Sequence, residues 1–195
     1  MDLRYEALTP ARWSDLEAVF GAKGCSIARQ CWCMAYRRVG SCKPAAGQTI
    51  AQANRGTFKA LVDAGQFTGL LAYRGDVPVG WLSFGPREDF KRLANSTIMK
   101  PVDEQPVWSV ICFVVPAPQR RQGVARALLN AAIAHCRTQG VDLIEAYPVD
   151  RPEQQHPQDL WFGPRRMFDA VGFEEVACRK PGRPVLRLHP VDAGP

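Results

Sequence analysis

No stretch of the chain approaches the ~18–20 consecutive apolar residues that cross a bilayer. The opening residues, MDLRYEALTPARW, lack both a basic start and an apolar core, so no secretory signal is expected and the cytoplasm is the expected location. The pattern GxxxxGK[ST] is absent, and with it the lysine and hydroxyl that hold a nucleotide γ-phosphate and Mg²⁺. No loop carries the several glycines of a dinucleotide fingerprint. Internal repeats and low-complexity tracts are also missing.

What is present is ordinary for a globular protein. The 195 residues are 46% hydrophobic and 23% charged. One domain over residues 1–195 is expected, large enough to bury a full core without disulfides or metals. The net charge is +6, but the arginines come as pairs, Arg37-Arg38, Arg120-Arg121 and Arg165-Arg166, rather than one long run. That spacing suits local anion sites better than a nucleic-acid stripe.

Seven cysteines are an odd number, and reduced thiols are expected. Cys25, Cys31, Cys33 and Cys42 crowd together, yet the inner pair is C-x-C and no histidine is near. Structural zinc sites use pairs separated by about two to four residues. No metal is expected, and Cys31-Trp32-Cys33-Met34 is read as an apolar packing segment.

Periodicity predicts an α/β chain. A short strand at 3–8 leads to a helix over 12–20, with Trp13, Leu16 and Phe20 at helical spacing. Residues 21–48 read as irregular, and 49–64 as a second helix stopped by Gly65. Residues 68–73 and 77–84 read as a hairpin around Arg74-Gly75-Asp76. The run VWSVICFVV at 107–115 predicts a strand buried on both faces. A helix at 122–138, a strand at 142–147, a loop at 148–159, a broken helix at 160–170 and strands at 173–178 and 185–188 complete the order. His135 reads as a surface residue.

One segment carries chemistry. In VVPAPQRRQGVARALL a buried strand stops at a proline, a short loop carries Arg120, Arg121 and Gly123, and an amphipathic helix starts at once. The first N–H groups of a helix lack intrahelical partners, and the helix dipole adds positive charge there. Together they suit a phosphate. Gly123 and Ala125 are small enough to let a pyrophosphate reach the backbone.

The loop Arg120-Arg121-Gln122-Gly123-Val124-Ala125 resembles the [QR]-x-x-G-x-[GA] acyl-CoA loop of the GNAT superfamily of N-acetyltransferases. The preceding strand, its V-x-P ending, the following helix and strand, and MFDAVGF at 167–173 appear in that family's order. The resemblance is close over about 68–178. Over 1–67, the expected acceptor side, it extends only to a broad βαα arrangement.

The resemblance implies a single domain with a central mixed, mostly antiparallel sheet, covered by helices on both faces. It implies acetyl-CoA as co-substrate, lying between splayed fourth and fifth strands. Its pantetheine would pair with the backbone of Phe113, Val114 and Val115, and its pyrophosphate would meet Arg120, Arg121, Gln122, Gly123, Val124, Ala125 and Arg126. The reaction implied is acetyl transfer to a primary amine by direct attack, with no covalent enzyme intermediate.

The catalytic groups are less plain. The family's tyrosine acid falls at Phe168 in this chain. Tyr147 is a candidate acid, Glu145 a candidate base, and Ser109 a candidate water relay on the fourth strand. His156 lies in a loop that would border the site. CWCMAY resembles a stretch beside the acceptor pocket in one subgroup, which makes Trp32, Met34 and Tyr36 acceptor candidates. Trp81, Phe84 and Trp108 join them from adjacent strands. Arg87 is placed to meet an acceptor carboxylate, and Arg165 and Arg166 to meet the 3′-phosphate of CoA.

The expected partners are a small-molecule amine and a second copy of the chain as a homodimer, with no membrane partner. Nucleic acid enters only through charged tRNA as an alternative acceptor. Protein N-termini and lysines are the other alternative acceptors. A non-catalytic acyl-CoA-binding module is the alternative from a different class.

Overall fold

The computed structural model describes residues 3–150 and 161–192. Its elements follow the expected order: β1 (Arg4–Ala7), α1 (Trp13–Gly21), α2 (Ser26–Cys31), α3 (Ile50–Asp63), β2 (Gly69–Arg74), β3 (Val77–Pro86), β4 (Trp108–Val114), α4 (Val124–Thr138), β5 (Ile144–Ala146), α5 (Arg165–Asp169), β6 (Glu174–Cys178) and β7 (Pro184–Leu188). The strands form one seven-stranded sheet in the order β1-β2-β3-β4-β5-β7-β6. Only β4 and β5 pair in parallel, so the sheet is mixed and mostly antiparallel, as expected.

Local chemistry explains the elements. Thr49 and Gln52 make a reciprocal capping box that starts α3. The β2–β3 turn needs two residues, Gly75 and Asp76. The segment read as irregular contains one short helix, α2. Its C-cap Trp32 and the next residue Cys33 both take positive φ, at 47° and 54°. Such φ values are uncommon for bulky side chains, and local propensity gives no hint of them. The last helix is shorter than expected, because Pro164 sits at its N-cap and only Arg165–Asp169 is helical.

Helices cover both faces. Leu70 and Ala72 of β2 face α4 with Leu82 and Phe84 of β3, while Leu71, Tyr73 and Trp81 pack with α1 and α3. This alternation is the two-residue period of a strand buried on both sides. Gly80 lets α4 lie close. A Cβ there would stand 2.7 Å from Val124 Cγ1 and 3.2 Å from Leu128 Cδ1. His135 is half-buried rather than a surface residue, because its ring stacks on Phe67 at 4.7 Å. That burial pushes its pKa down.

The sheet is divided at one place. β5 pairs with β4 only over Trp108, Ser109 and Val110. Beyond Val110, β4 continues to Val114 without a β5 partner. A register shift against β3 at the same point turns Ile111 and Cys112 toward one cluster.

Candidate active site

The gap beside the far half of β4 opens into a cavity of about 880 Å³. One end is the loop before α4. Gly123 is the N-cap of α4 in the left-handed region, at φ 79°, and no side chain caps the helix. A Cβ on Gly123 would meet nothing within 4 Å, so the first turn faces open space. No acidic residue lies in that turn. Uncapped N–H groups, the dipole and the nearby Arg121 and Arg126 make an anion cradle.

Arg120 has a different task. Its Nε donates to Val115 O at 3.0 Å and its Nη2 to Gly24 O at 2.6 Å. It ties the loop to the α1–α2 connection. Gln122 stays off the cavity wall, with its amide donating to Pro118 O at 2.7 Å. Phe113, Val114, Val115, Val124 and Ala125 line the cavity with the loop arginines. The Phe113 N–H already donates to Trp161 O at 2.7 Å, so a ligand pairing with β4 at that position must displace the Trp161 carbonyl. Arg166 lines the cavity, whereas Arg165 bonds Asp150 and Glu175.

Ser109, Glu145 and Tyr147 are brought together, but away from the cavity lining. Tyr147 OH lies 3.0 Å from Ser109 Oγ and donates to Glu145 Oε1 at 2.7 Å. Glu145 is fully buried and pairs with Arg87 through Oε1 and with Arg187 Nε through Oε2 at 2.9 Å. Arg187 also holds Asp103 with two bonds, at 2.6 and 2.9 Å. That guanidinium holds the Asp103 carboxyl down at about 2. Burial pushes the Tyr147 phenol up. In this arrangement both Glu145 oxygens are engaged and neither reaches solvent, which leaves it poorly placed to act as a base. Arg87 is engaged here too, not at an acceptor carboxylate.

Among the six acceptor-side candidates, the structure puts only Tyr36 on the cavity wall. Trp32 stacks on Trp13 at 5.6 Å, Met34 and Trp81 join the same core, and Phe84 and Trp108 cluster with Phe67 and His135. Each fills space between the sheet and a helix, the commonest use of a large apolar ring. Phe168 packs on Phe113 and Phe173, fully buried and off the cavity wall. His156 lies outside the described residues.

The wall that sequence reading missed comes from the cysteines. Cys25, Cys31, Cys33 and Cys112 all line the cavity, with Tyr36 and Arg92. Spacing hid this, because α2 and the left-handed turn after it bring residues 25–36 over β4. Among the described residues no cluster of histidine, cysteine, aspartate or glutamate suits a metal ion. The lining contains no carboxylate and no histidine among the described residues.

A sheet that parts over an uncapped helix N-terminus defines a cleft for a long ligand with an anionic middle. Relatives give that cleft its class. The model of the acetyltransferase (GNAT) family matches residues 32–161, and the chain belongs to that family. Its co-substrate is acetyl-CoA. No curated protein matches the sequence.

Solved structures share the fold at low identity. The ribosomal-protein-S5-alanine acetyltransferase of Vibrio fischeri is 12% identical, with a TM-score of 0.55 over 100% of this chain and 97% of that one. The PaiA N-acetyltransferase of Thermoplasma acidophilum, in complex with coenzyme A, is 12% identical with a TM-score of 0.51 over 97% and 99%. YncA of Salmonella typhimurium, with its cofactor acetyl-CoA, is 14% identical with a TM-score of 0.51 over 100% and 98%.

Proposed function

We propose that this acetyltransferase moves the acetyl group of acetyl-CoA onto a primary amine of a small molecule, by direct attack of the amine. The observation that carries the reading is the continuity of one cavity. It runs from the anion cradle at Gly123, along the free half of β4, to the wall of Tyr36 and the cysteines. The cradle fits a pyrophosphate, and the apolar stretch at Phe113–Val115 fits the pantetheine arm. The far end leaves space for a small acceptor.

Residues divide by task in this reading. The N–H groups at the start of α4, with Arg121 and Arg126, hold the pyrophosphate, and Arg166 stands by the 3′-phosphate. Backbone N–H groups at the β4 register shift stabilise charge on the thioester oxygen. Ser109, Glu145 and Tyr147 are positioning residues that hold β5 against β4.

Calorimetry of acetyl-CoA binding tests the reading, with wild type, Gly123→Ala and Gly123→Glu. Both variants strain the left-handed N-cap, so their melting points should fall alike. Only glutamate adds bulk and negative charge at the cradle. Binding should survive in the alanine variant and vanish in the glutamate variant. Absence of binding by the folded wild type overturns the proposal.

A further inference from the structure

The cavity presents an acceptor ammonium with no carboxylate or histidine on its described wall. Amine attack nevertheless requires the ammonium to lose a proton. Apart from the permanently charged arginines, the titratable groups that face the cavity are the thiols and Tyr36, and burial pushes the Tyr36 phenol up.

Two of these thiols differ from the rest. Cys33, in the left-handed turn after α2, accepts a hydrogen bond from the Trp81 indole N–H at 3.2 Å. Cys112, from the register shift in β4, lines the same cavity as its neighbour. The Arg37 guanidinium adds its charge to Cys33. Its side chain is 1% exposed, its nearest carboxylate is Asp89 at 3.7 Å, and its Nε and Nη1 lack a hydrogen-bond partner. A buried cation in that state favours an anion beside it. From the α2 side, Cys31 is the other titratable neighbour.

We propose that Cys33 and Cys112 form a thiolate–thiol pair that carries the protons of acetyl transfer. The inference rests on the acetyltransferase reading above. The acceptor ammonium gives one proton to the Cys33 thiolate. The freed amine nitrogen forms a bond to the thioester carbon, the carbon–sulfur bond breaks, and the departing thiolate takes a proton from Cys112. Cys112 regains its proton from the nitrogen as the amide forms, and Cys33 releases its own to solvent. The net change is one amide, one CoA thiol and one proton.

The titration directions agree with this division. Interaction with the neighbouring Cys112, helped by Trp81 and Arg37, holds the Cys33 thiol below its ordinary value, while the same interaction and burial hold Cys112 well above. Cys25, Cys31 and Cys136 are all pushed up by burial, Cys31 to about 11 and Cys136 to about 12. Cys33 alone among the described buried thiols is shifted toward the thiolate.

Iodoacetamide labelling, mapped by peptide mass across a pH series, tests the pair without a known acceptor. Cys33 should label with a midpoint below the ordinary thiol range, and saturating acetyl-CoA should protect it. Labelling of Cys33 as slow as that of the core residue Cys136, or unaffected by acetyl-CoA, overturns the proposal. Turnover is then measured with a panel of primary amines on Cys33→Ser, whose hydroxyl keeps the shape and cannot act as the base near neutral pH. It should lose about 10²–10⁴-fold in kcat with KM for acetyl-CoA unchanged. An unchanged kcat also overturns it. Failure of the wild type to bind acetyl-CoA would instead strike the parent reading.

Discussion

Glu145→Gln separates a catalytic base from a structural brace. Glutamine keeps the volume of the side chain and removes its charge. In the native protein both carboxylate oxygens face cations, Arg87 at one and Arg187 at the other, and Tyr147 OH donates to the first at 2.7 Å. The Glu145 side chain is fully buried, and those of Arg87 and Arg187 are 13% and 9% exposed. The amide would turn an N–H group toward a guanidinium and leave buried positive charge without its counter-ion. Removing one partner of a buried pair costs about 3–5 kcal/mol. For a domain of this size each kcal/mol moves Tm by about 2–4 °C, so Tm should fall by about 6–20 °C. Thermal denaturation followed by circular dichroism measures this. Acetyl-CoA affinity, read well below the new Tm, should change little, because no atom of Glu145 lines the cavity. A Tm within about 2 °C of wild type, together with abolished turnover, would refute the argument and return Glu145 to the role of base.

Gly80→Ala should push α4 off the sheet at its first turn, since the new Cβ would lie 2.7 Å from Val124 Cγ1. A loss of about 1–3 kcal/mol and weaker acetyl-CoA binding are expected, and unchanged affinity by calorimetry would show that the cradle does not depend on this contact. Trp161 is half-buried on the cavity wall with its carbonyl on the Phe113 N–H. Tryptophan fluorescence should therefore change when acetyl-CoA is added, and Trp161→Phe should remove most of that change. An equal signal in the variant would mean that the Trp161 segment does not answer to the ligand. Thr49→Ala removes a capping box far from the cavity, and should lower stability by about 0.5–2 kcal/mol with binding intact.

The parts legible in the sequence were those governed by short-range rules. Leu70 to Tyr73, buried on both faces, and the α4 stripe of Leu128, Leu129, Ala132, Ile133 and Cys136 follow from periodicity alone. The cradle was legible because a strand stop, a glycine and a helix start stand side by side at 115–125. The cavity wall formed by residues 25–36 was not. Trp32 and Cys33 adopt left-handed φ without glycine, which only tertiary packing stabilises, and that turn sends Trp32 inward and Cys33 to the cavity. The partners of Glu145 lie 58 and 42 residues away, at Arg87 and Arg187, so its neutralisation had no local signature. Cys33 and Cys112, 79 residues apart, share the cavity wall, and the β4 register shift opposite Ser83 and Phe84 had no signature in the sequence.

The division of the sheet creates the cleft and also a weakness. Strand pairing between the β1–β4 half and the β5–β7–β6 half runs through three residue pairs of β4 and β5. Parallel pairing is already slightly the less stable kind. The buried network is centred on the middle one of these pairs, Ser109 and Glu145. Arg87 follows β3, Ser109 is in β4, Glu145 and Tyr147 are in and just after β5, and Arg187 is in β7. Side-chain bonds thus join β4, β5 and β7, with the residue that follows β3, across a short backbone contact. A charged brace suits this place better than apolar packing, because directional bonds fix the angle at which β4 leaves β5. That angle sets the width of the cavity. On the proposed reading this buried network acts on geometry, and proton transfer falls to the thiols that line the cavity.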